Sequence, residues 1–420
     1  MIKRKIYNEI LEHLRAKHIT VIIGARQVGK TTIIRQLQDH LATQGTFSLY
    51  FNLDIEDDRQ YFESQRILLQ KIRLEAGSRP AIVFIDEIQR KLDAGRFLKG
   101  LYDQNLPVKF VATGSGSLEL KASVKESLAG RKRIFEVHPV SFREFFNYRT
   151  AYAYEEKLSE YFELEQGRAE NFLMEYLSFG GYPEVILAET ETEKRQTIAE
   201  LFSSYVEKDI AGTLGVTNQT EFVILIRLLA DRSGKPINYT GLANEVNLSL
   251  PTLKKYIHYA EETFILNRLN PFFNNIGKEL TKSPQYYFED IGLRNYAAGV
   301  FGLLPARHPA IGFVFQHLVF QYLHATCQKN GWMLHYWRTR DKAEVDFVVN
   351  RIKDIIPVEV KFRALKKPEL TASFQSFLKK YSPLEAFVVN RSLYDDFQWG
   401  NTTVHFRPWW PLWDNGWGAG

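Results

Sequence analysis

Short apolar runs, separated by amphipathic segments, dominate the first part of the chain. The runs are rich in β-branched and aromatic residues, a pattern typical of strands, and Ala81–Ile85 is almost wholly apolar, as expected for a strand buried on both faces of a parallel sheet. They are Ile19–Ile23, Phe47–Phe51, Ala81–Ile85, Lys109–Thr113 and Arg133–Val137. Helix-like segments lie between most of these runs, so the pattern predicts an α/β fold built from crossover units.

The pattern becomes helical from about Ala151, and a helix-turn-helix is predicted further on, with helices at Tyr239–Val246 and Pro251–Glu261. After Arg307 an α/β pattern returns. Its predicted elements, in order, are a helix, three strands, a helix and a strand: Gly312–Cys327, Leu334–Trp337, Glu344–Val349, Ile355–Val360, Pro368–Lys380 and Ala386–Val389. The sequence therefore predicts a second α/β unit after a helical region.

Composition narrows the class of protein only slightly. The 420 residues carry 54 Lys and Arg against 49 Asp and Glu, a mildly basic balance that does not by itself identify a nucleic-acid partner. The single cysteine, Cys327, rules out an intrachain disulfide and a four-cysteine zinc site. The first residues turn polar too early for a signal peptide, and no apolar run approaches the roughly 20 residues of a membrane span. We therefore expect a cytoplasmic protein without membrane segments.

A glycine-bounded loop follows the first apolar run and matches the pattern G-x-x-x-x-G-K-[ST]. Such a loop turns its backbone N–H groups toward phosphate oxygens, and the helix that follows adds partial positive charge. Lys30 is expected to reach the β- and γ-phosphates of ATP, and Thr31 to offer its hydroxyl to Mg²⁺. The predicted nucleotide-binding residues are Gly24, Ala25, Arg26, Gln27, Val28, Gly29, Lys30, Thr31 and Thr32.

Acidic and hydroxyl side chains end two other predicted strands. Asp86 and Glu87 follow the run Ala81–Ile85, at the edge of the sheet where ligands bind in α/β folds. Asp86 is expected to hold Mg²⁺ and Glu87 to polarise the attacking water. Thr113 is a candidate for contacting the γ-phosphate or orienting that water, with a plain turn as the alternative. Asp54 is either a further residue of the same crevice or a solvated loop residue.

Several motifs occur in the order found in one known family. They are Gly-Ala-Arg-Gln-Val-Gly-Lys-Thr (24–31), Phe-Ile-Asp-Glu-Ile-Gln (84–89), Thr-Gly-Ser (113–115), Ser-Leu-Ala-Gly-Arg (127–131), Pro-Val-Ser-Phe-Arg-Glu-Phe (139–145), Gly-Gly-Tyr-Pro (180–183), Tyr-Phe-Glu-Asp-Ile-Gly-Leu (287–293) and Glu-Val-Asp-Phe (344–347). The chain thus resembles the bacterial and archaeal AAA-type ATPases that carry a C-terminal domain of unknown function, distant relatives of the origin-recognition ATPases.

The resemblance implies an AAA-type ATPase core at 1–150, a helical lid at 151–225, a winged-helix-like domain at 226–305, a nuclease-like domain at 306–400 and a tail at 401–420. It also implies that Arg131 acts as an arginine finger on a neighbouring subunit's nucleotide, although a surface role beside Lys132 and Arg133 is the alternative. A finger that acts in trans requires a homo-oligomer, and AAA relatives suggest a ring or hexamer.

The last domain resembles the nuclease-like fold with the pattern D…(D/E)-x-K. A hairpin turn at Asn350–Asp354 would pair Asp346 with Glu359 and Glu344 with Lys361, on one face of the sheet. Asp346 and Glu359 could then hold a second metal ion, with Lys361 orienting a water. Two features favour a fold retained for DNA binding instead. Glu344 and Lys361 could form a simple salt bridge, and Gln316 stands where relatives commonly have Glu.

Two basic segments are candidates for DNA contact. One is the second helix of the helix-turn-helix, with Thr252, Lys254, Lys255 and His258; the other is the run Lys361, Arg363, Lys366 and Lys367. The main hypothesis is an oligomeric ATPase that uses ATP and Mg²⁺ to bind and remodel DNA, such as branched, replication or repair intermediates. The alternatives are an ATP-dependent switch acting on a protein partner, and an ATP-gated, metal-dependent nuclease.

Overall fold

The computed structural model describes residues 1–115, 126–204, 206, 219–273 and 283–413, and these form two compact units. The first unit contains residues 1–144, 182–184 and 258–265. The second contains the described residues within 145–181, 185–257 and 266–413. The segments predicted as lid, winged-helix-like domain and nuclease-like domain fall mostly in this second unit. Among the described residues, no helix is long and apolar enough to cross a membrane.

A five-stranded parallel sheet forms the centre of the first unit, with the strand order β2-β3-β4-β1-β5. The strands are β1 (Ile19–Gly24), β2 (Ser48–Asn52), β3 (Ala81–Asp86), β4 (Val108–Ser115) and β5 (Lys132–Val137). The helices between them are α1 (Ile6–His13), α2 (Lys30–Thr43), α3 (Glu56–Arg59), α4 (Gln65–Ala76) and α5 (Ala94–Tyr102). The predicted α/β fold and the five predicted strands are confirmed.

The burial of these elements explains why the sequence folds this way. Every residue of β1 and β3 is buried, as expected for strands covered by helices on both faces. On α2 the buried residues Ile33, Ile34, Leu37 and Leu41 follow helical spacing and form one apolar stripe. The polar or charged residues Thr32, Arg35 and Asp39 of α2 are exposed, so the helix covers the sheet with its apolar side.

The strand order decides which side chains meet. β4 lies between β1 and β3, with Val21 opposite Ala112 and Phe84 opposite Val111. Because all five strands are parallel, the loop after β1, the end of β4 and the acidic pair after β3 lie along the same edge of the sheet.

Helices make up most of the chain between β5 and the second sheet. They are α6 (Phe142–Arg149), α7 (Leu158–Leu164), α8 (Gln166–Phe179), α9 (Pro183–Leu187), α10 (Glu191–Leu201), α11 (Gln219–Asp231), α12 (Tyr239–Glu245) and α13 (Leu250–Glu262). The last two are the helices of the predicted helix-turn-helix, and both lie within two residues of their predicted bounds. Ser249 starts the second of them, since its hydroxyl accepts a hydrogen bond from the Thr252 N–H at 3.3 Å.

The Gly180–Gly181 pair has a structural explanation in the second unit. Asp290 precedes α14 (Ile291–Ala297), and its carboxylate accepts the N–H groups of Leu293 at 2.8 Å and Gly181 at 2.7 Å. Gly180 has a φ of 77°, and a Cβ atom there would lie 2.3 Å from the Gly292 nitrogen. Only glycine lets the chain pass this closely to the start of α14.

The second unit also contains an eight-stranded mixed sheet, with the order β12-β13-β11-β10-β9-β8-β6-β7. Its strands are β6 (Leu266–Pro271), β7 (Gln285–Phe288), β8 (Met333–Arg338), β9 (Glu344–Asn350), β10 (Ile355–Val360), β11 (Glu385–Asn390), β12 (Asp395–Trp399) and β13 (Thr402–Pro408). Its remaining helices are α15 (Ile311–Asn330) and α16 (Ala372–Tyr381).

Two of the predicted domain boundaries separate strands that belong to this one sheet. Residues 402–408, assigned to the tail, form β13, which pairs in parallel with β11 and alternates buried with half-buried residues. A tail that starts at residue 401 would therefore separate this strand from the sheet to which it belongs. Residues 414–420 of the predicted tail lie outside the described residues. β6, from the predicted winged-helix-like domain, pairs with β8 of the predicted nuclease-like domain through Asn270 and Pro271.

Candidate functional site

The loop between β1 and α2 depends on its two glycines. A Cβ atom on Gly24 would lie 2.2 Å from the Val137 carbonyl oxygen at the end of β5, so only glycine fits there. Gly29 has a φ of 97°, a left-handed conformation in which other residues are strained. The loop residues Ala25 and Val28 are buried, with exposed fractions of 1% and 0%. The sequence motif therefore corresponds to a tightly packed loop at the start of α2.

Lys30 is the first residue of α2, and its side chain folds back into this loop. Its Nζ donates hydrogen bonds to the carbonyl oxygens of Ala25 at 2.7 Å and Gly24 at 3.1 Å. Burial lowers the pKa of Lys30 to about 8, against the opposing effect of Glu87 and Asp86. The ammonium thus lies among neutral carbonyl groups, an arrangement in which a phosphate oxygen would be a stronger partner.

Asp86 accepts hydrogen bonds from three hydroxyl groups at the carboxyl edge of the sheet. Its Oδ2 accepts from Thr31 at 2.8 Å and from Tyr50 at 2.9 Å, and its Oδ1 accepts from Thr113. The Asp86 residue is only 1% exposed. The structure therefore brings together Thr31, Asp86 and Thr113, as the strand ends predicted. Thr113 lies inside β4, so the alternative of a plain turn does not apply.

Tyr50 is a residue of this cluster that sequence reasoning missed. It lies in β2, opposite Phe84 in the neighbouring strand β3. Burial and the nearby Asp86 raise its pKa, so the phenol stays protonated and donates to the carboxylate. A phenol between two apolar residues, Leu49 and Phe51, two residues before the strand's end, was the available clue.

Glu87 follows Asp86 in a left-handed conformation, with a φ of 56°. Its backbone N–H donates to the Thr113 hydroxyl at 3.3 Å, and its carboxylate accepts from the Gln89 amide. Burial raises the pKa of Glu87, although Lys30 and Gln89 act in the opposite direction. A carboxylate with a raised pKa is better suited to accept a proton, as a general base must.

Asp54 and Arg131 lie outside this cluster. Asp54 forms an exposed ion pair with Arg90 at 2.7 Å. Arg131 precedes β5 at the edge of the sheet formed by the amino ends of the strands, opposite to the edge with the loop. There its carbonyl accepts the Ile19 N–H at 2.8 Å and its side chain pairs with Asp103 at 2.8 Å. Because β1 spans six residues, or about 16 Å, between that edge and the loop, Arg131 does not reach the loop of its own subunit.

The second predicted site has the predicted register but different side-chain pairs. Val358 lies opposite Phe347, and one further step places Asp346 opposite Glu359. β10 ends at Val360, so Lys361 is no longer in the strand and its Nζ pairs with Glu359 at 2.6 Å. Glu344 pairs instead with Arg338 of β8 at 3.1 Å, so the predicted pairing of Glu344 with Lys361 is wrong.

Gln316 occupies one oxygen of this site. Its amide donates to the Asp346 Oδ1 at 3.1 Å, while the Val360 N–H donates to the Oδ2 at 2.7 Å. Burial and the nearby Glu359 raise the pKa of Asp346 well above its usual value. Among the described residues, no group of three or more His, Cys, Asp or Glu is placed to hold a metal ion. These donors do not fit a divalent cation, which requires several ionised or carbonyl oxygens.

We therefore expect no metal-dependent cleavage of DNA by this site, because the amide of Gln316 already uses an oxygen that a metal ion would need. Incubation of a supercoiled plasmid with the protein and Mg²⁺ or Mn²⁺ should give no more nicking than the Asp346→Ala variant gives. Nicking that requires the metal and disappears in Asp346→Ala would contradict this expectation.

The candidate DNA-contacting residues are mostly exposed. Lys254, Lys255 and His258 lie on the exposed face of α13. Arg363, Lys366 and Lys367 lie in the segment between β10 and α16 and are exposed, whereas Lys361 is committed to its ion pair. These basic residues therefore lie at the protein surface, and contact with DNA through them stays a prediction.

Matches to family models agree with this architecture. Residues 16–146 match a model described as an AAA domain. The chain contains an AAA domain. Residues 170–303 and 311–409 match two models described as domains of unknown function, DUF8612 and DUF4143. The AAA domain covers the five-stranded sheet with the loop and the Asp86 cluster, and the third match, over residues 311–409, extends through β13.

Relatives of similar length carry no assigned function. An uncharacterized protein of Haemophilus influenzae is 26% identical over 377 residues, which cover 86% of this chain and 87% of the relative. Another, from Methanocaldococcus jannaschii, is 25% identical over 395 residues, covering 90% and 82%. Among solved structures, C. elegans PCH-2 is 16% identical with a TM-score of 0.27, covering 35% of this chain and 45% of PCH-2. That TM-score is too low to carry an argument.

Proposed function

We propose that the AAA domain binds ATP with Mg²⁺ and hydrolyses it. The observation that carries this proposal is the cluster at one sheet edge, where Thr31, Asp86 and Thr113 are hydrogen-bonded next to the Gly24–Thr31 loop. The chemistry of these residues suits the phosphates of ATP and a bound Mg²⁺. The loop offers backbone N–H groups and Lys30 to phosphates, and Thr31 and Asp86 offer oxygens to Mg²⁺.

Each residue has a distinct role in this proposal. Lys30 exchanges its bonds to the loop carbonyls for phosphate oxygens. Asp86 and Thr31 hold Mg²⁺, which supplies charge neutralisation when bound. Glu87 orients the attacking water and accepts its proton, for which its raised pKa is suited. Thr113, which contacts Asp86 and the Glu87 backbone, keeps the two carboxylates in fixed relative positions.

Arg131 completes this site from a neighbouring subunit in our proposal. A guanidinium stabilises the charge that develops on the transferred phosphoryl group, and Arg131 lies at the wrong edge of the sheet to do so within its own subunit. A homo-oligomer, in the form of a ring or hexamer, would place it beside the next subunit's loop.

We further propose that the work driven by ATP is done on DNA, including branched, replication or repair intermediates. The support is the exposed basic residues of the second unit, on α13 and in the segment after β10. Lysine and arginine side chains at such positions neutralise phosphates without reading sequence, which suits a protein that recognises the structure of DNA.

The experiment tests whether these basic residues bind DNA and whether that binding stimulates ATP hydrolysis. We expect the triple variant Arg363→Ala, Lys366→Ala and Lys367→Ala to bind DNA at least tenfold more weakly at low salt. The slope of log K against log salt should fall by up to about 3, because roughly 0.9 counterions are released per phosphate contact. Fluorescence anisotropy at several salt concentrations measures both quantities.

A matched control removes three exposed lysines elsewhere in the same unit: Lys329, Lys353 and Lys379. This variant has the same net charge as the test variant, and we expect it to keep the wild-type DNA affinity and the wild-type ratio of stimulated to basal ATPase. Equal losses of DNA affinity in the two variants would show that net charge, and not these three residues, causes the effect. ATPase activity that ignores single-stranded, duplex and branched DNA would favour the alternative, an ATP-dependent switch that acts on a protein partner.

A further inference from the structure

Arg4, which lies before α1, reaches into the back of the phosphate-binding loop. Its Nη1 donates to the Val28 carbonyl at 2.8 Å. Its Nη2 donates to the carbonyl oxygens of His138 at 2.5 Å and Pro139 at 3.4 Å, and its Nε to the Glu144 carboxylate at 3.3 Å. The side chain is only 8% exposed. One guanidinium thus joins the loop to the segment after β5 and to α6.

The hydrogen bond from Arg4 to Val28 fixes the orientation of the Val28–Gly29 peptide. A trans peptide is planar, and its C=O and N–H groups point in opposite directions. Because Arg4 holds the Val28 carbonyl toward the back of the loop, the N–H of Gly29 in the same peptide points away from Arg4. That is the direction in which a phosphate-binding loop presents its N–H groups. The Val28 residue is fully buried, so its carbonyl needs a partner within the fold, and Arg4 provides it.

The charge of Arg4 is compensated locally. Glu144 accepts from Arg4 and also from the backbone N–H groups of Lys5 at 2.8 Å and Ser141 at 2.9 Å. Since the guanidinium and this carboxylate form an ion pair, Arg4 adds little long-range attraction for an anion. Its effect on a bound phosphate therefore comes through the orientation of the peptide.

We propose that Arg4 is a positioning residue for phosphate binding, which holds the Val28–Gly29 peptide so that the Gly29 N–H is directed at the nucleotide's phosphates. This inference rests on the proposed binding of ATP by the AAA domain. It adds a residue from outside the loop motif, 20 positions before Gly24, to the machinery that binds the nucleotide.

The experiment measures Mg²⁺-dependent binding of ADP and of AMP by calorimetry, with the full chain. AMP has no β-phosphate, so the preference for ADP over AMP reports on the loop. We expect Arg4→Met to lower this preference about tenfold, and Arg4→Lys, which keeps a donor, to recover part of it. A general loosening of the fold would weaken both nucleotides alike and leave the preference unchanged, which would overturn the inference.

Two further variants sharpen the test. Lys5→Met removes a neighbouring exposed charge and should bind ADP as the wild type does. Glu144→Gln loosens the same junction but leaves the Arg4 donor to Val28, so we expect less than a threefold change in the preference. An equal loss in Glu144→Gln would overturn the positioning role. Wild-type preference in Arg4→Met would overturn this inference alone, whereas failure of the wild type to bind ADP would overturn the proposed function as well.

Discussion

Replacing Glu87 with glutamine should slow ATP hydrolysis by roughly 10²–10⁴-fold while leaving ATP binding intact. The amide has nearly the shape of the carboxylate but does not accept a proton from the attacking water. Lys30, Thr31 and Asp86, which we propose to hold the nucleotide and Mg²⁺, are unchanged. Single-turnover phosphate release measures the loss, and equilibrium binding of ATP to the same variant shows that the site is intact.

Glu56→Gln is the matched control, because it makes the same chemical change at another carboxylate that follows a strand of the same sheet. Glu56 is exposed at the start of α3, so we expect this variant to hydrolyse ATP at the wild-type rate. The assignment of Glu87 fails if its glutamine variant keeps hydrolysis within about threefold of the wild type. It also fails if Glu56→Gln is equally slow.

Arg131→Ala should lower the hydrolysis rate by about 10³–10⁵-fold, the usual contribution of an arginine finger. Arg133, two residues after Arg131, is exposed, and its Cζ lies 5.2 Å from the centre of the Phe135 ring. Arg133→Ala therefore provides a neighbouring control that should remain active. Initial rates of phosphate release at several protein concentrations measure the effect. The wild-type rate per subunit should rise with concentration, because the site is complete only after assembly.

Mixing two inactive variants tests whether Arg131 acts between subunits. A Lys30→Ala subunit supplies an intact Arg131, and an Arg131→Ala subunit supplies an intact loop, so hybrid interfaces contain one complete site. We expect the mixture to recover hydrolysis that neither variant shows alone. If no activity returns although the subunits exchange, the role of Arg131 in trans is excluded.

The sequence alone predicted the features that depend on local pattern. The five apolar runs became the five parallel strands, and the pattern was clearest in β1 and β3, which are buried at every position and have few polar residues to obscure them. The loop Gly24–Thr31 and the pair Asp86 and Glu87 were found because each must directly follow a strand. Both C-terminal hairpin strands were also predicted, and their register followed from the length of the turn.

Features that depend on distant packing were not predictable in this way. Tyr50 and Arg4 join the site through side chains that cross between elements, and no spacing in the sequence relates them to Asp86 or Val28. Lys361 pairs with Glu359 because the strand ends at Val360, a boundary that the pattern did not reveal. The exposed edge strand β12 has no buried side to mark it, which also concealed its partner β13.

The join between β6 and β8 limits how the molecule can be divided. Phe272, directly after β6, packs in the same core as Trp337 and Phe377, and its N–H donates to the Tyr336 carbonyl at 2.6 Å. A fragment starting at residue 306 would lose these contacts and expose the hydrogen-bonding edge of β8. Such an open edge pairs readily with other chains, so the fragment would tend to aggregate. Two stretches that the family models treat as separate domains therefore have to be expressed as one piece.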